Sequence, residues 1–291
     1  KKYFDPANKD AQKFVVNVVK DIVKRYDVDA IHMDDYFYPY RVPNKDFPDQ
    51  ATYIKYARGL DKETWRRSNC DTIIKQLSET IHLTKPGVQF GISPFGVWRN
   101  KSKDPKGSNT KAGVTNYDDL YADIMLWLNK GWIDYVVPQL YWEHGHALAD
   151  YDELVNWWNE HSYKSNLYIG HGIYRAGTTT NWKNSNEIPY QIKSMRALNN
   201  TRGSAYFSSN SFKNNPNHWN DSLQNNYYRK PALLPTMPWR VQYEMNAPLV
   251  TKQSEKTYQI EIADIKKVKQ FAIISLHNRK YEVESIVPNN A

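Results

Sequence analysis

Residues 9 to 25 alternate apolar and charged positions with a helical period. Ala11, Phe14, Val15, Val18, Val19, Ile22 and Val23 recur every three or four residues, with Lys and Asp between them, which predicts an amphipathic helix. Tyr26 and Asp27 then lead into V-D-A-I-H-M-D-D-Y-F-Y-P at 28–39. The start of that stretch is a short apolar run bounded by polar residues, the pattern of a buried strand. Side chains alternate along a strand, so Ala30, His32 and Asp34 share one face while Ile31 and Met33 take the other. The apolar face suits packing under helices. The other delivers a histidine and a carboxylate to the C-terminal end of the strand, where parallel α/β folds place their chemistry.

The same order recurs along the chain. A segment from 36 to about 62 precedes a helix at 63–84, and Pro86-Gly87 stops it before a strand at 88–93. A polar loop, a helix at 118–130 and a strand at 133–141 follow, then a helix at 151–162 and a strand at 167–171. Another loop and helix lead to a last strand at 204–208. Helix-to-strand turns are short (Tyr26-Asp27, Pro86-Gly87, Gly131-Trp132, Arg202-Gly203), whereas strand-to-helix segments are long and hold most Trp, Tyr and Asn. A parallel α/β domain with its working face at the strand C-termini has this asymmetry. No G-x-G-x-x-G or Walker-type loop follows any strand, which removes the usual support for nucleotide binding.

Near Pro231 the character changes. P-A-L-L-P-T-M-P reads as a stiff linker over 231–240. Beyond it Tyr258, Ile260, Ile262, Phe271, Ile273, Tyr281 and Val283 alternate with polar residues, predicting short antiparallel strands. The expected organisation is an α/β domain at 1–230, the linker, and a partial immunoglobulin- or fibronectin-like β-sandwich module at 241–291.

Composition refines this picture. The 291 residues carry a formal charge of +8, with lysines scattered rather than clustered, so a solvated surface is favoured over a nucleic-acid groove. No apolar run approaches the roughly 18 residues of a membrane span. The single Cys70 rules out an internal disulfide. The 22 Tyr and 10 Trp are more telling, because many fall in loops, where flat apolar rings suit the C–H faces of sugars.

On the strand at 133–141, counting by twos puts Gln139, Tyr141 and Glu143 on one face. In a (β/α)₈ barrel this trio and His32/Asp34 would open into one mouth. Two carboxylates from separate strands facing one cavity are the minimal equipment of a glycosidase, one attacking or stabilising the anomeric carbon and the other protonating the leaving oxygen. A separation of about 5–5.5 Å gives retention and about 6.5–9.5 Å inversion, and the sequence leaves the two open. An arbitrary Asp-Asp pair is more often a cap or a loop ion pair, but its position at a buried strand's exit favours function, for Asp34 more than Asp35. Glu143 has a plainer reading as a solvated loop acid. The E-H-G-H stretch with His32, Asp34, His144 and His146 raises metal ligation, yet the spacing matches no zinc signature, so neither a metal nor a cofactor is expected.

V-D-A-I-H-M-D-D-Y-F-Y-P-Y, F-G-I-S-P-F-G-V-W-R-N and W-I-D-Y-V-V-P-Q-L-Y-W resemble the successive strand motifs of the bacterial glycosyl hydrolase-like 10 family, over about Phe4 to Phe212. The family's members are exported or lipid-anchored and related to a divisome-localised hydrolase of peptide-free peptidoglycan strands. The resemblance implies a (β/α)₈ TIM-type barrel represented by strands four to eight only, and a polysaccharide substrate in the cell envelope. It implies Asp34 as nucleophile and Glu143 as acid/base. His32, Trp98, Asn100, Gln139, Tyr141 and Trp142 would line the sugar site, with Asp35, Tyr36, Tyr38, His171 and Arg175 nearby or at the rim. The open barrel edge calls for a partner chain or a further segment, and a lipid anchor upstream of Lys1 is compatible with the family. A non-catalytic glycan-binding protein on the same scaffold is the alternative.

Overall fold

The computed structural model describes residues 3–240 and 245–289. Two compact units are present, Lys1–Trp219 and Asn220–Ala291. In the first, helix α1 (Lys9–Arg25) is capped by the Asn8 side chain, which accepts from the amides of Asp10 and Ala11. It leads to β1 (Ala30–Met33). A short α2 (Gln50–Tyr56), in a stretch where no periodicity predicts it, precedes α3 (Lys62–Thr84) and β2 (Gln89–Ile92).

The helix expected at 118–130 is two pieces, α4 (Asn116–Asp119) and α5 (Ile124–Asn129). Tyr121 between them has φ +54°, and Asp123 caps the second piece by accepting from Leu126 N. The strand expected at 133–141 is likewise split, into β3 (Tyr135–Val136) and β4 (Gln139–Leu140). Pro138, with no N–H to donate, sits in the gap. The unit continues through α6 (Tyr151–Glu160), β5 (Asn166–His171), α7 (Glu187–Arg196) and β6 (Thr201–Tyr206). Gly203 therefore lies inside a strand rather than in the turn before it.

All pairings in this sheet are parallel: β1 with β2, β2 with β3, β3 and β4 with β5, and β5 with β6. The spatial order follows the chain order, so the strands form an arc of a TIM-like barrel with β1 and β6 at its edges. Helices cover one face. Phe90, Ile92, Val136, Leu167 and Ile169 are buried there with Ile74, Leu77 and Ile81 of α3 and Trp127 of α5. Ile31 and Met33 pack against the same cluster. Each such aliphatic contributes about 1.5–3 kcal/mol on burial, against about 1 kcal/mol for a helix cap, so packing decides where α3 lies. Buried Asp134 stitches the layers by accepting from Phe90 N at 2.8 Å and His82 Nε2 at 2.9 Å.

The other face carries a row of rings. His32 stacks on Tyr135 at 5.7 Å, and Tyr135 meets Tyr168 edge-on at 5.9 Å. Gly91 lies beside His32 in register, and a Cβ there would fall 2.0 Å from the Tyr135 ring. The Tyr135 ring thus occupies the space a side chain at 91 would need.

In the second unit, β7 (Leu249–Lys252) pairs antiparallel with β8 (Tyr258–Glu261), and β9 (Gln270–His277) pairs antiparallel with β10 (Lys280–Pro288). The first residues of the expected module, 241–244, lie outside the described residues. No helix among the described residues is long and apolar enough to cross a membrane.

Gly91→Ala should destabilise the first unit by about 1–3 kcal/mol through overpacking against Tyr135, read as a lowered melting temperature. Gly91→Ala combined with Tyr135→Ala should recover part of that loss.

Candidate functional site

Asp34 leaves β1 exposed to solvent and Asp35 beside it is buried. Asp34 Oδ1 accepts from Gln139 Nε2 at 2.8 Å and from Asp35 N at 3.0 Å. The same Gln139 Nε2 donates to Ser93 O at 3.0 Å. One amide thus joins the exits of β1, β2 and β4. Gly96 permits the approach, since a Cβ there would lie 2.5 Å from Gln139 O and 2.6 Å from the Trp142 ring.

Burial pushes the Asp35 carboxyl up. A hydrogen bond donated by the Tyr40 hydroxyl opposes this, and the neighbouring Asp34 charge adds to it. Burial, then the negative charge of Asp34, pushes the Tyr141 phenol well above its ordinary value, so it stays protonated and able to donate. Tyr141 stacks on Phe207 at 6.1 Å and meets Tyr174 edge-on at 5.8 Å. Phe207 and Tyr174 are both exposed. The exits of β4, β5 and β6 therefore build an aromatic surface next to the Asp34 carboxylate.

Glu143 is partly exposed, four residues beyond Gln139, so its backbone lies within about 14 Å of that of Gln139 even at full extension. Its carboxylate accepts from Asn181 Nδ2 at 3.0 Å and from Trp182 Nε1 at 2.9 Å. Burial pushes this carboxyl up, but its own backbone amide, Asn181 and Trp182 together outweigh burial and hold it below the usual 4.5. The backbone on either side of Glu143 is fixed from α7. Glu187 Oε1 accepts from His144 N at 3.1 Å, and Gln191 Nε2 donates to Trp142 O at 3.2 Å and to Glu187 Oε1 at 2.8 Å.

Trp98, Asn100 and His171, expected at the site, are held in packing or bracing roles instead, while His32, Trp142, Arg175 and Tyr36 keep contacts with neighbouring rings. Trp98 is buried, stacked on Trp157 at 6.0 Å. Asn100 braces its own loop, donating to Ala112 O at 2.9 Å and accepting from Thr110 Oγ1 at 2.8 Å. His171 is fully buried between Gln191, 2.9 Å from Nδ1, and Ser204, 3.1 Å from Nε2. Alternation along β5 puts His171 on the face of Leu167 and Ile169, under the helices. His32 faces the open side, with Nδ1 3.1 Å from the Tyr135 hydroxyl. Trp142 packs edge-on to Phe95 at 5.4 Å. Arg175 places its guanidinium 5.5 Å over the Tyr174 ring, while Tyr36 is exposed and edge-on to Tyr40 at 6.2 Å.

The residues weighed as metal ligands are not gathered. His144 lies 2.9 Å from Glu187 and 3.3 Å from Asp152, away from His32 on Tyr135. Among the described residues no group of three or more His, Cys, Asp or Glu could hold a metal ion.

Sequence reasoning missed Tyr174, Phe207, Asn181 and Trp182. Tyr174 and Phe207 sit just past strand exits, so the rule that singled out Tyr36 could have found them. Nothing in the local pattern marks Asn181 and Trp182.

The family model described as glycosyl hydrolase-like 10 matches residues 1–188. The chain is 45% identical over 259 residues to glycosyl hydrolase YngK of Bacillus subtilis (strain 168), covering 87% of this chain and 51% of that one. It is 39% identical over 202 residues to glycosyl hydrolase DigH of Escherichia coli (strain K12), covering 67% and 45% respectively. The chain spans about half the length of the curated relatives it matches. A solved glycoside hydrolase domain of PgaB (BpsB) from Bordetella bronchiseptica shares the fold, with a TM-score of 0.51 at 13% identity over 76% of this chain and 63% of that chain.

Burial pushes His171 down to about 4 from 6.5, with the Gln191 contact opposing. The unfolded chain takes up this proton near pH 6.5 and the folded one only near pH 4. Stability from this group is therefore present above 6.5 and lost as pH falls, by roughly 3 kcal/mol in all. Denaturant titrations at pH 7 and 4.5 should show a smaller acid loss in His171→Gln than in the unsubstituted chain.

Proposed function

This chain belongs to the glycosyl hydrolase-like 10 family, and we propose that it cleaves glycosidic bonds of a polysaccharide with Asp34 as nucleophile and Glu143 as acid/base. One observation carries the reading. An exposed carboxylate at the β1 exit is oriented by Gln139 and lies near Tyr141, whose ring meets those of Phe207 and Tyr174.

Both hydrogen bonds to Asp34 land on Oδ1. They fix the carboxylate plane so that it attacks, or stabilises charge on, the anomeric carbon as the leaving group departs. The sugar ring rests on the aromatic surface through its C–H face. Tyr141, kept protonated, donates to a sugar hydroxyl or to the attacking carboxylate. Glu143, on the segment that follows, gives its proton to the leaving oxygen and then takes one from water. Given the family resemblance, peptide-free peptidoglycan strands in the cell envelope are the first polymer to test.

A second reading, glycan binding without turnover, has one observation in its favour. Asn181 and Trp182 hold Glu143 in its ionised form, whereas a general acid works best with its proton retained.

Reducing-sugar release separates the two. Asp34→Asn should lose at least about a thousandfold in kcat, roughly 4 kcal/mol. Glu143→Gln should lose about 10²–10⁴-fold on ordinary glycosides and much less on a substrate with an activated aryl leaving group. Wild-type rates in both variants would remove Asp34 and Glu143 from the mechanism, whereas glycan binding with no turnover by the unsubstituted chain would replace hydrolysis by binding.

The pH profile offers a further check. Glu143 must carry a proton to act as the acid, and its value in the free chain lies below 4.5. kcat/KM should therefore be highest in acid and fall as pH rises through that value, and Glu143→Gln should flatten this limb.

A further inference from the structure

The loop that follows β1, together with Asp5, Arg66, Asp119 and Tyr121, lines an open cavity of about 1010 Å³, at the upper end of the roughly 300–1,000 Å³ of ligand pockets. Its wall is aromatic, including Tyr36, Tyr38, Tyr40 and Tyr121. It also holds three cations, Arg41, Lys45 and Arg66, against three carboxylates, Asp5, Asp46 and Asp119, a net charge of zero (3 − 3). Most of these charges are committed within the protein. Arg66 holds Asp46 at 2.8 Å and the buried Asp49 at 2.8 Å, and donates to the Tyr121 hydroxyl at 3.0 Å. Arg41 pairs with Asp119 at 3.3 Å. These contacts tie the loop to α3 and α4. An anionic ligand would have to displace carboxylates already bonded to those arginines, whereas an uncharged polyhydroxylated one needs only rings and hydrogen-bonding edges.

One hydrogen bond links the cavity wall to the site. Tyr40 lines it and donates its hydroxyl to Asp35, the neighbour of Asp34, and Tyr36 lines it edge-on to Tyr40. We propose that this cavity is a second carbohydrate-binding site, which takes an uncharged stretch of glycan chain extending from the sugar at Asp34. The proposal rests on the reading of Asp34 as the attacked sugar's partner. It makes the chain a reader of polymer length rather than of a single disaccharide.

Binding is measured by calorimetry in the Asp34→Asn chain, so that turnover does not consume the probe. The probes are chitobiose, chitohexaose and an oligogalacturonate of six residues. Chitohexaose should bind about tenfold tighter than chitobiose, from the added ring contacts. Val42→Trp and Lys45→Trp each fill the cavity from an exposed wall position, and thermal melts show which of them folds. A folded filler should erase the length advantage and leave chitobiose affinity unchanged. Equal affinity for the two lengths, an advantage that survives a folded filler, or tighter binding of the oligogalacturonate would overturn the cavity's role. Full turnover by Asp34→Asn together with an intact length advantage would instead remove the catalytic assignment and leave the cavity standing. Loss of turnover without a length advantage would do the reverse.

Discussion

A parallel strand has two faces, and in this chain only one of them is covered by helices. Phe90, Ile92, Val136, Leu167 and Ile169 lie on the covered side, where removing apolar surface from water drives α1, α3, α5 and α6 onto the sheet. The opposite side is left to His32, Tyr135 and Tyr168. Chemistry that needs solvent therefore has the open side and the C-terminal exits available to it. The two-residue period also explains His171. It ends its strand, as Asp34 follows the end of another, yet it faces the helices and is sealed.

The exits are drawn together by a single amide. Gln139 reaches Asp34 and the Ser93 carbonyl at once, from a strand that Pro138 has already interrupted. Gln139 stays in the sheet, in register with Gly170 of β5 and bridged to Phe95, and Gly96 leaves the room it needs. Asp34 is thereby fixed by strands on either side of β2, a preorganisation that a loop carboxylate would lack.

Glu143 is held differently. Its carboxylate is bonded by the segment before α7, and the backbone on both sides of it by Glu187 and Gln191 of that helix. One carboxylate is thus positioned by the sheet and the other by a helix and its leading loop. The short run from Gln139 to Glu143 joins the two along the chain.

The sequence alone determined the alternation of helices and strands in the first unit apart from α2, the boundaries of α1 and the end of β1, the covered face of the sheet and the family. Each of these follows from local periodicity or from contiguous motifs, which survive without knowledge of distant residues. That Asp34, Gln139, Tyr141 and Glu143 lie at or just past strand exits was legible because residues along a strand can be counted. The break of the 118–130 helix at Tyr121, the split at Pro138, and the burial of Trp98 and His171 depended on what packs against them. Only the tertiary structure brought Asn181 and Trp182 to Glu143, and Phe207 to Tyr141. These partners lie roughly 40 to 65 residues apart in the chain, and no one-dimensional pattern records which of two distant polar or aromatic side chains will meet.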